Sequence, residues 1–281
     1  MQTVKLNNGI KMPILGFGVY QVGGGECEEV VWNAIKAGYR LIDTAQAYAN
    51  EDAVGRAIKK SGIPRDEFFI VTKIWISNYG EEKAYQSILN SLEKLQTDYI
   101  DLMLLHQPFN DYYGAYRAME RAYKEGKLKA IGVSNFYPDR FVDLCKFVEI
   151  KPAVNQIETH IFNQHKEDRK YLDKYNTQIM AWGPFAEGKN NMFTNETLVS
   201  IGEKYGKSSA QIALRFLVQE GVVVIPKSVK PERMEQNFNI FDFELTNEDI
   251  EQIRALDLGH SLFFSHHDPE TVEMITNLVR D

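Results

Sequence analysis

At 281 residues, 44% apolar and 25% charged, the chain has ordinary globular composition and the length of one α/β barrel. A formal charge of −7 argues against sequence-independent nucleic-acid binding, which needs clustered Lys and Arg. Two cysteines, Cys27 and Cys145, make no disulfide framework; without a signal-like leader or a membrane-length apolar run, the expectation is a soluble, cytoplasmic protein.

The chain begins with TVKL and IKMP around Asn7-Asn8-Gly9, a hairpin signal, and the hairpin is expected to plug the bottom of the fold. Apolar, β-favouring runs then recur at LGFGVY, RLID, FFIVTKI, YIDLMLLH, KAIGVSN, PAVNQIE, QIMAWG and VVVIPKS. Between them lie stretches with helical spacing: EEVVWNAIKAG, EDAVGRAIKKSG, KAYQSILNSLEKLQ, YRAMERAYKEG, DRFVDLCKFVE, HKEDRKYLDKY and SSAQIALRFLVQEG. PERMEQNF supplies an eighth, short helix, and TNEDIEQIRAL an extra one opened by a capping-box-like Thr246. Strands alternating with helices pair in parallel through right-handed crossovers, and eight such units suit a (β/α)8 TIM barrel with an N-terminal hairpin and an extra C-terminal helix and tail. A doubly wound sheet would want a GxGxxG fingerprint, which LGFGVYQVGGG does not match. No Pro-, Ser- or Gly-rich linker interrupts the chain, so residues 1–281 are expected to form one domain. With no sustained heptad, a monomer is the default.

In such a barrel, chemistry gathers where strands run out into βα loops. Asp43 ends the second run, Lys73 lies near the end of the third and His106 ends the fourth, at separations of 30 and 33 residues, about one βα unit each. Tyr48 follows Asp43 in the loop, before a helix expected near Asn50. Taken singly, these would be a turn-capping acid, a solvated lysine and a structural histidine. Together they are harder to dismiss, because Lys73 interrupts FFIVTKIWI, where a cation is expensive to desolvate without a partner such as Asp43. A tyrosine titrates near 10, and lowering it by two units takes roughly 2.7 kcal/mol. A cation about 4 Å away at an effective dielectric near 20 supplies about 4 kcal/mol. Lys73 can therefore make Tyr48 a proton donor, with His106 as a second donor to an oxygen gaining negative charge. That set suits carbonyl reduction. It lacks the paired carboxylates of a glycosidase, the strand exits hold no metal-ligand cluster, and Asp101 lies too deep in its strand to serve a barrel hydrolase.

GYRLIDTAQAYANEDAVG, TKIW, DLMLLHQP, GVSNF, NQIE and IPKS, in that order and spacing, resemble the aldo-keto reductase family over nearly the whole chain. The resemblance implies hydride transfer from NADPH/NADP+ to an aldehyde or ketone, with the family's catalytic set falling on Asp43, Tyr48, Lys73 and His106. It implies that Ser134, Asn135 and Gln156 bind the nicotinamide carboxamide, and that Trp182 stacks on its ring where a tyrosine or phenylalanine is usual. Gly183, Pro184 and Phe185 follow in AWGPF, with Gly183 where a serine is common. In IPKSVKPERMEQN the resemblance assigns Lys227, Ser228 and Arg233 to the adenosine 2′-phosphate and Gln236 and Asn237 to adenine, with Val229 also among the cofactor-binding residues. Otherwise this would read as a basic surface turn.

Tyr20, Trp75, His106 and the tail around SLFFSHHDPE are implied to line the substrate pocket. Gln107 stands where the family has a tryptophan, and Gln46 where small residues are usual. Adjacent His266, His267 and Asp268 on an irregular segment make a poor metal site, and Phe263 and Phe264 are expected to cover the pocket or pack on the barrel. The motifs lie nearest the bacterial diketogluconate reductase-like and small-aldehyde reductase group. Small dicarbonyls, aromatic aldehydes and keto-sugar acids are the substrates that follow by analogy. The alternative is a nicotinamide-binding regulatory or structural barrel with little turnover.

Overall fold

The computed structural model describes residues 2–278. Asn7-Asn8-Gly9 turns the chain between β1 (Thr3–Lys5) and β2 (Lys11–Pro13), which pair antiparallel. Gly9 sits at φ 89°, a conformation that favours glycine. Eight parallel strands follow in unbroken order: β3 (Phe17–Gly18), β4 (Leu41–Asp43), β5 (Phe69–Ile74), β6 (Ile100–Leu105), β7 (Leu128–Ser134), β8 (Val154–Glu158), β9 (Gln178–Trp182) and β10 (Val223–Val224). The Gly16 amide donates to the Val224 carbonyl at 2.8 Å and the Val224 amide to Ile14 at 3.0 Å, which joins the last strand to the first and closes the barrel. Every residue of β4, β5 and β8 is buried, as parallel strands covered on both faces require.

The helices form the outer layer: α1 (Gly24–Ala37), α2 (Glu51–Ser61), α3 (Glu81–Leu95), α4 (Tyr112–Lys124), α5 (Pro138–Phe147), α6 (Lys166–Lys174), α7 (Glu196–Tyr205), α8 (Ser209–Gln219) and α9 (Pro231–Phe238). α10 (Asn247–Arg254) and α11 (Pro269–Thr276) complete the C-terminal part. The hairpin does lie across the barrel floor: Asn7 Nδ2 donates to the Pro152 carbonyl at 3.0 Å and Asn8 Nδ2 to Lys129 at 2.9 Å, both at the strand-entry end. Among the described residues no helix is long and apolar enough to cross a membrane.

Each of the eight barrel strands falls on one of the apolar runs of the sequence, but α7 and α11 lie outside the expected helices. In ETLVSIGEKY the buried face is only Leu198, Ile201 and Gly202, too sparse to show as a stripe; Asn195, accepting from the Leu198 amide at 3.3 Å, is its start signal. α11 opens on Asp268-Pro269, with Asp268 accepting from the Glu270 and Thr271 amides. His266 and His267 remain in the irregular segment before it.

Thr246 and Asp249 form the reciprocal cap of α10. Asp249, wholly buried, also accepts from Lys204 Nζ and the Tyr205 hydroxyl of α7, each at 2.6 Å. Burial pushes its carboxyl up, but the hydrogen bonds from Lys204, Tyr205 and Thr246 outweigh that and hold it at about 2, below its usual 3.8. A depressed folded-state value stabilises the protein above the unfolded value and is lost as pH falls through the folded one. Urea unfolding of the wild type should therefore weaken between about pH 4 and pH 2, and Asp249→Asn should be less stable at neutral pH with a flatter profile across that window. Parallel profiles for the two proteins would show that Asp249 carries no such linkage.

Candidate active site

Lys73 is wholly buried near the end of β5, opposite Leu104 at the exit of β6 and two residues beyond Val71, which pairs with Asp43 at the exit of β4. Its Nζ lies 2.7 Å from Asp43 Oδ1, 2.8 Å from the Thr44 carbonyl and 3.3 Å from the Tyr48 hydroxyl. The carboxylate and carbonyl oxygens can only accept, and the Tyr48 hydroxyl can take the third N–H of an ammonium. Burial pushes the Lys73 ammonium below its usual value, with Asp43 pulling it back up. Burial likewise pushes Asp43 up, against Lys73 and the Gln156 amide. The charges at 2.7 Å and the Thr44 carbonyl keep the pair ionised against that pull.

Tyr48 ends a 3-10 turn, Gln46–Tyr48, and its ring faces the His106 ring edge-on at 5.7 Å. Trp75 meets the His106 ring at 5.0 Å and Tyr20 meets Tyr48 at 5.1 Å, so the four residues of the proposed set and two expected wall residues form one cluster. Gln46 has a definite task there. Its Oε1 accepts from the Trp75 amide and Asn78 Nδ2, and its Nε2 donates to the Ser87 carbonyl and Ser91 Oγ. The turn carrying Tyr48 is thereby fastened to β5's exit and α3. Asn50, just before α2, is buried with its Nδ2 on the Val19 and Val22 carbonyls, which ties the first βα loop to the second.

Beside this cluster lie the residues assigned to the nicotinamide. Gln156 Nε2 donates to Asp43 Oδ2 at 2.8 Å, and Ser134 Oγ donates to the Gln156 carbonyl at 2.8 Å. Asn135 adopts φ 63° and donates to the His106 carbonyl, while its Oδ1 accepts the Trp182 indole N–H at 2.8 Å. Gly183 sits at φ 62°, which favours glycine over the serine common at this place, and a Cβ there would meet the Phe263 ring at 3.8 Å. Its carbonyl accepts from Ala186, closing the Pro184-Phe185 turn, and Phe185 packs on Phe193.

After β10, Lys227, Val229, Arg233 and Gln236 are exposed and Asn237 is buried. Ser228 Oγ accepts from the Lys230 amide. No side chain caps the N-terminus of α9, and among the described residues neither Lys227 nor Arg233 has an ion-pair partner. Uncapped amides flanked by two cations fit a phosphate, although Glu232 in the same turn opposes them. At the other end, amide, hydroxyl and indole groups fit a flat carboxamide-bearing ring. The residues present thus suit a phosphorylated nicotinamide dinucleotide.

The sequence does not point to the residues that hold the tail. Glu158, at the end of β8, accepts from Ser261 Oγ, the Leu262 amide at 2.9 Å and His160 Nε2 at 2.9 Å. Burial pushes its carboxyl up, but these donors outweigh it and hold it below the usual range. Phe263 and Phe264 then pack on Trp182, with ring centroids at 5.3 and 6.3 Å. Trp75 Nε1 donates to the Leu278 carbonyl at 3.0 Å, so the tail also reaches the substrate side. A cavity of about 430 Å³ opens between this tail and the β6 and β7 exits, lined by Phe109, Asn135, Tyr137, Arg140, His266 and Val272 among others. Among the described residues no group of three or more His, Cys, Asp or Glu could hold a metal, and Asp101 faces Arg65 and the Ile70 amide away from the strand exits.

Residues 14–258 match the model of the aldo/keto reductase family. The glyoxal reductase of Bacillus subtilis is 49% identical over 90% of this chain and 92% of its own length. The methylglyoxal reductase DkgA of Escherichia coli K12 is 39% identical over 92% of this chain and 94% of its own. Among solved structures, the Bombyx mori aldo-keto reductase in complex with NADP superposes with a TM-score of 0.88 at 31% identity, covering 97% of this chain and 96% of that one. A deep-sea metagenome aldo-keto reductase superposes at 0.90 with 42% identity, covering 94% and 98%.

Lys73→Met should leave the Asp43 charge buried without a counter-ion and destabilise the fold by about 3–5 kcal/mol in urea unfolding. Adding Asp43→Asn should recover part of that loss. A double variant as unstable as the sum of the singles would show that the two charges are not coupled.

Proposed function

The chain belongs to the aldo/keto reductase family and is an NADP-dependent carbonyl-reducing oxidoreductase; from that premise we propose that it reduces small vicinal dicarbonyls, with Tyr48 as the proton donor. The observation that carries the proton-donor role is the buried ammonium of Lys73 at 3.3 Å from the Tyr48 hydroxyl. A cation at that distance favours the phenolate and so makes the phenol a stronger acid. The NADPH nicotinamide, when bound, supplies the hydride. Tyr48 delivers a proton to the oxygen that gains charge, and His106, in edge contact with the Tyr48 ring, is the second group placed to hydrogen-bond that oxygen. Trp75 and Tyr20 wall the site with apolar surface, which selects weakly by shape and accepts activated aromatic aldehydes as well. The dicarbonyl preference rests on the two relatives whose names carry glyoxal and methylglyoxal.

In the proposed cofactor site, Ser134, Asn135 and Gln156 hold the carboxamide, Trp182 takes the ring face, and Lys227 with Arg233 takes the 2′-phosphate at the α9 N-terminus. Tyr48→Phe should lower kcat for methylglyoxal by about 10²- to 10⁴-fold while NADPH still quenches tryptophan fluorescence. Unchanged turnover would remove Tyr48 from the chemistry; in the wild type, quenching without turnover on any of a broad aldehyde and ketone panel would favour a regulatory barrel. Arg233→Ala should raise the KM for NADPH far more than that for NADH, and equal changes would show that Arg233 does not meet the phosphate.

A further inference from the structure

Gln107 directly follows His106, is only 7% exposed, and has its backbone pinned on both sides by Tyr79: its amide donates to the Tyr79 hydroxyl at 3.1 Å, and that hydroxyl donates to its carbonyl at 2.8 Å. Its side-chain orientation follows from a chain of donors and acceptors. The Trp182 indole N–H can only donate, so the Asn135 atom receiving it at 2.8 Å is the oxygen. Asn135 Nδ2 must then donate, to the His106 carbonyl at 3.1 Å, to Ser134 Oγ at 3.2 Å and toward Gln107 at 3.4 Å. The Gln107 atom facing Asn135 is therefore Oε1 as well, and His266 Nε2, 2.8 Å from the same oxygen, carries the imidazole hydrogen. His266 Nδ1 is left to accept from the Tyr137 hydroxyl at 3.4 Å. Burial lowers the His266 imidazole to about 4, which agrees with the neutral ring this pattern needs. Phe109, Tyr137 and Phe264 surround that ring at 5.8, 5.4 and 5.2 Å, so it has little room to turn.

Both donors converge on Oε1, and among the described residues Gln107 Nε2 has no hydrogen-bond partner. Among the described residues the amide N–H2 that directly follows His106 in the chain thus has no protein acceptor. A vicinal dicarbonyl bound with its reacting oxygen at Tyr48 and His106 carries a second oxygen on the adjacent carbon, which needs a donor of its own. We propose that His266, on the C-terminal tail, is a positioning residue that locks the Gln107 amide so that its Nε2 donates to the second oxygen of a vicinal dicarbonyl, making Gln107 a specificity determinant. The proposal rests on the reductase reading and adds to it a source of selectivity in this chain's own departure from the family pattern at Gln107.

The measurement is the ratio of kcat/KM for methylglyoxal to that for propanal, with NADPH held saturating. Gln107→Leu should lower the ratio about three- to tenfold, the worth of one hydrogen bond. His266→Ala should lower it similarly, His266→Gln should restore it because its amide N–H2 can donate to the same oxygen, and the Gln107→Leu/His266→Ala double variant should fall no further than Gln107→Leu. A ratio unmoved in Gln107→Leu overturns the specificity role. A His266→Gln variant that behaves like His266→Ala, or a His266→Ala variant that lowers both substrates alike, overturns the positioning role. A wild type that reduces neither compound overturns the reductase reading itself, which separates the two failures.

Discussion

A lysine side chain buried to zero exposure inside a parallel barrel constrains everything around it. The β5 segment FIVTKI is buried at every position, so the Lys73 ammonium has no route to solvent and must find its oxygens within the fold. They come from Asp43 at the end of β4, from the carbonyl of Thr44 just beyond and from Tyr48 in the loop. Asp43 in turn is oriented by Gln156 from β8, across the barrel. The proton-transfer group and the proposed carboxamide site are therefore parts of one hydrogen-bonded system, in which the position of Gln156 and the charge on Asp43 depend on each other.

The tail is held from two directions. Glu158 takes Ser261 and the Leu262 amide at one end, and Gln107 takes His266 at the other. Between those fastenings, Phe263 and Phe264 lie on Trp182, and the Phe263 ring also reaches over Gly183. The tail thus touches both the residue proposed to stack on the cofactor and the residue following His106. Replacement of the usual tryptophan by Gln107 exchanges an apolar wall for a hydrogen-bonded one and gives the tail a polar anchor.

Much of this architecture is legible in the amino-acid sequence. The strand runs are long, apolar and regularly spaced, and their last polar residues mark the rim on which Asp43, Lys73 and His106 meet. Partners remote along the chain are not legible: Glu158 and Ser261 are 103 residues apart, and Gln107 and His266 are 159 apart, and neither pair belongs to a periodic pattern. Gln46 is hidden for a different reason. Its four hydrogen bonds join one loop to a strand exit and a helix, and no local signal distinguishes such a glutamine from a solvated one. Helices α7 and α11 are faint because their buried faces carry few apolar residues and their caps are short polar motifs in loop-like composition.

The barrel's closing seam joins Leu15 and Gly16 to Val224, residues far apart along the sequence. During synthesis from the N-terminus, β3 and the segment before it must wait with an unpaired edge until most of the chain has emerged. Folding of this barrel is thus bound to long-range contacts, because only the last strand can complete the ring.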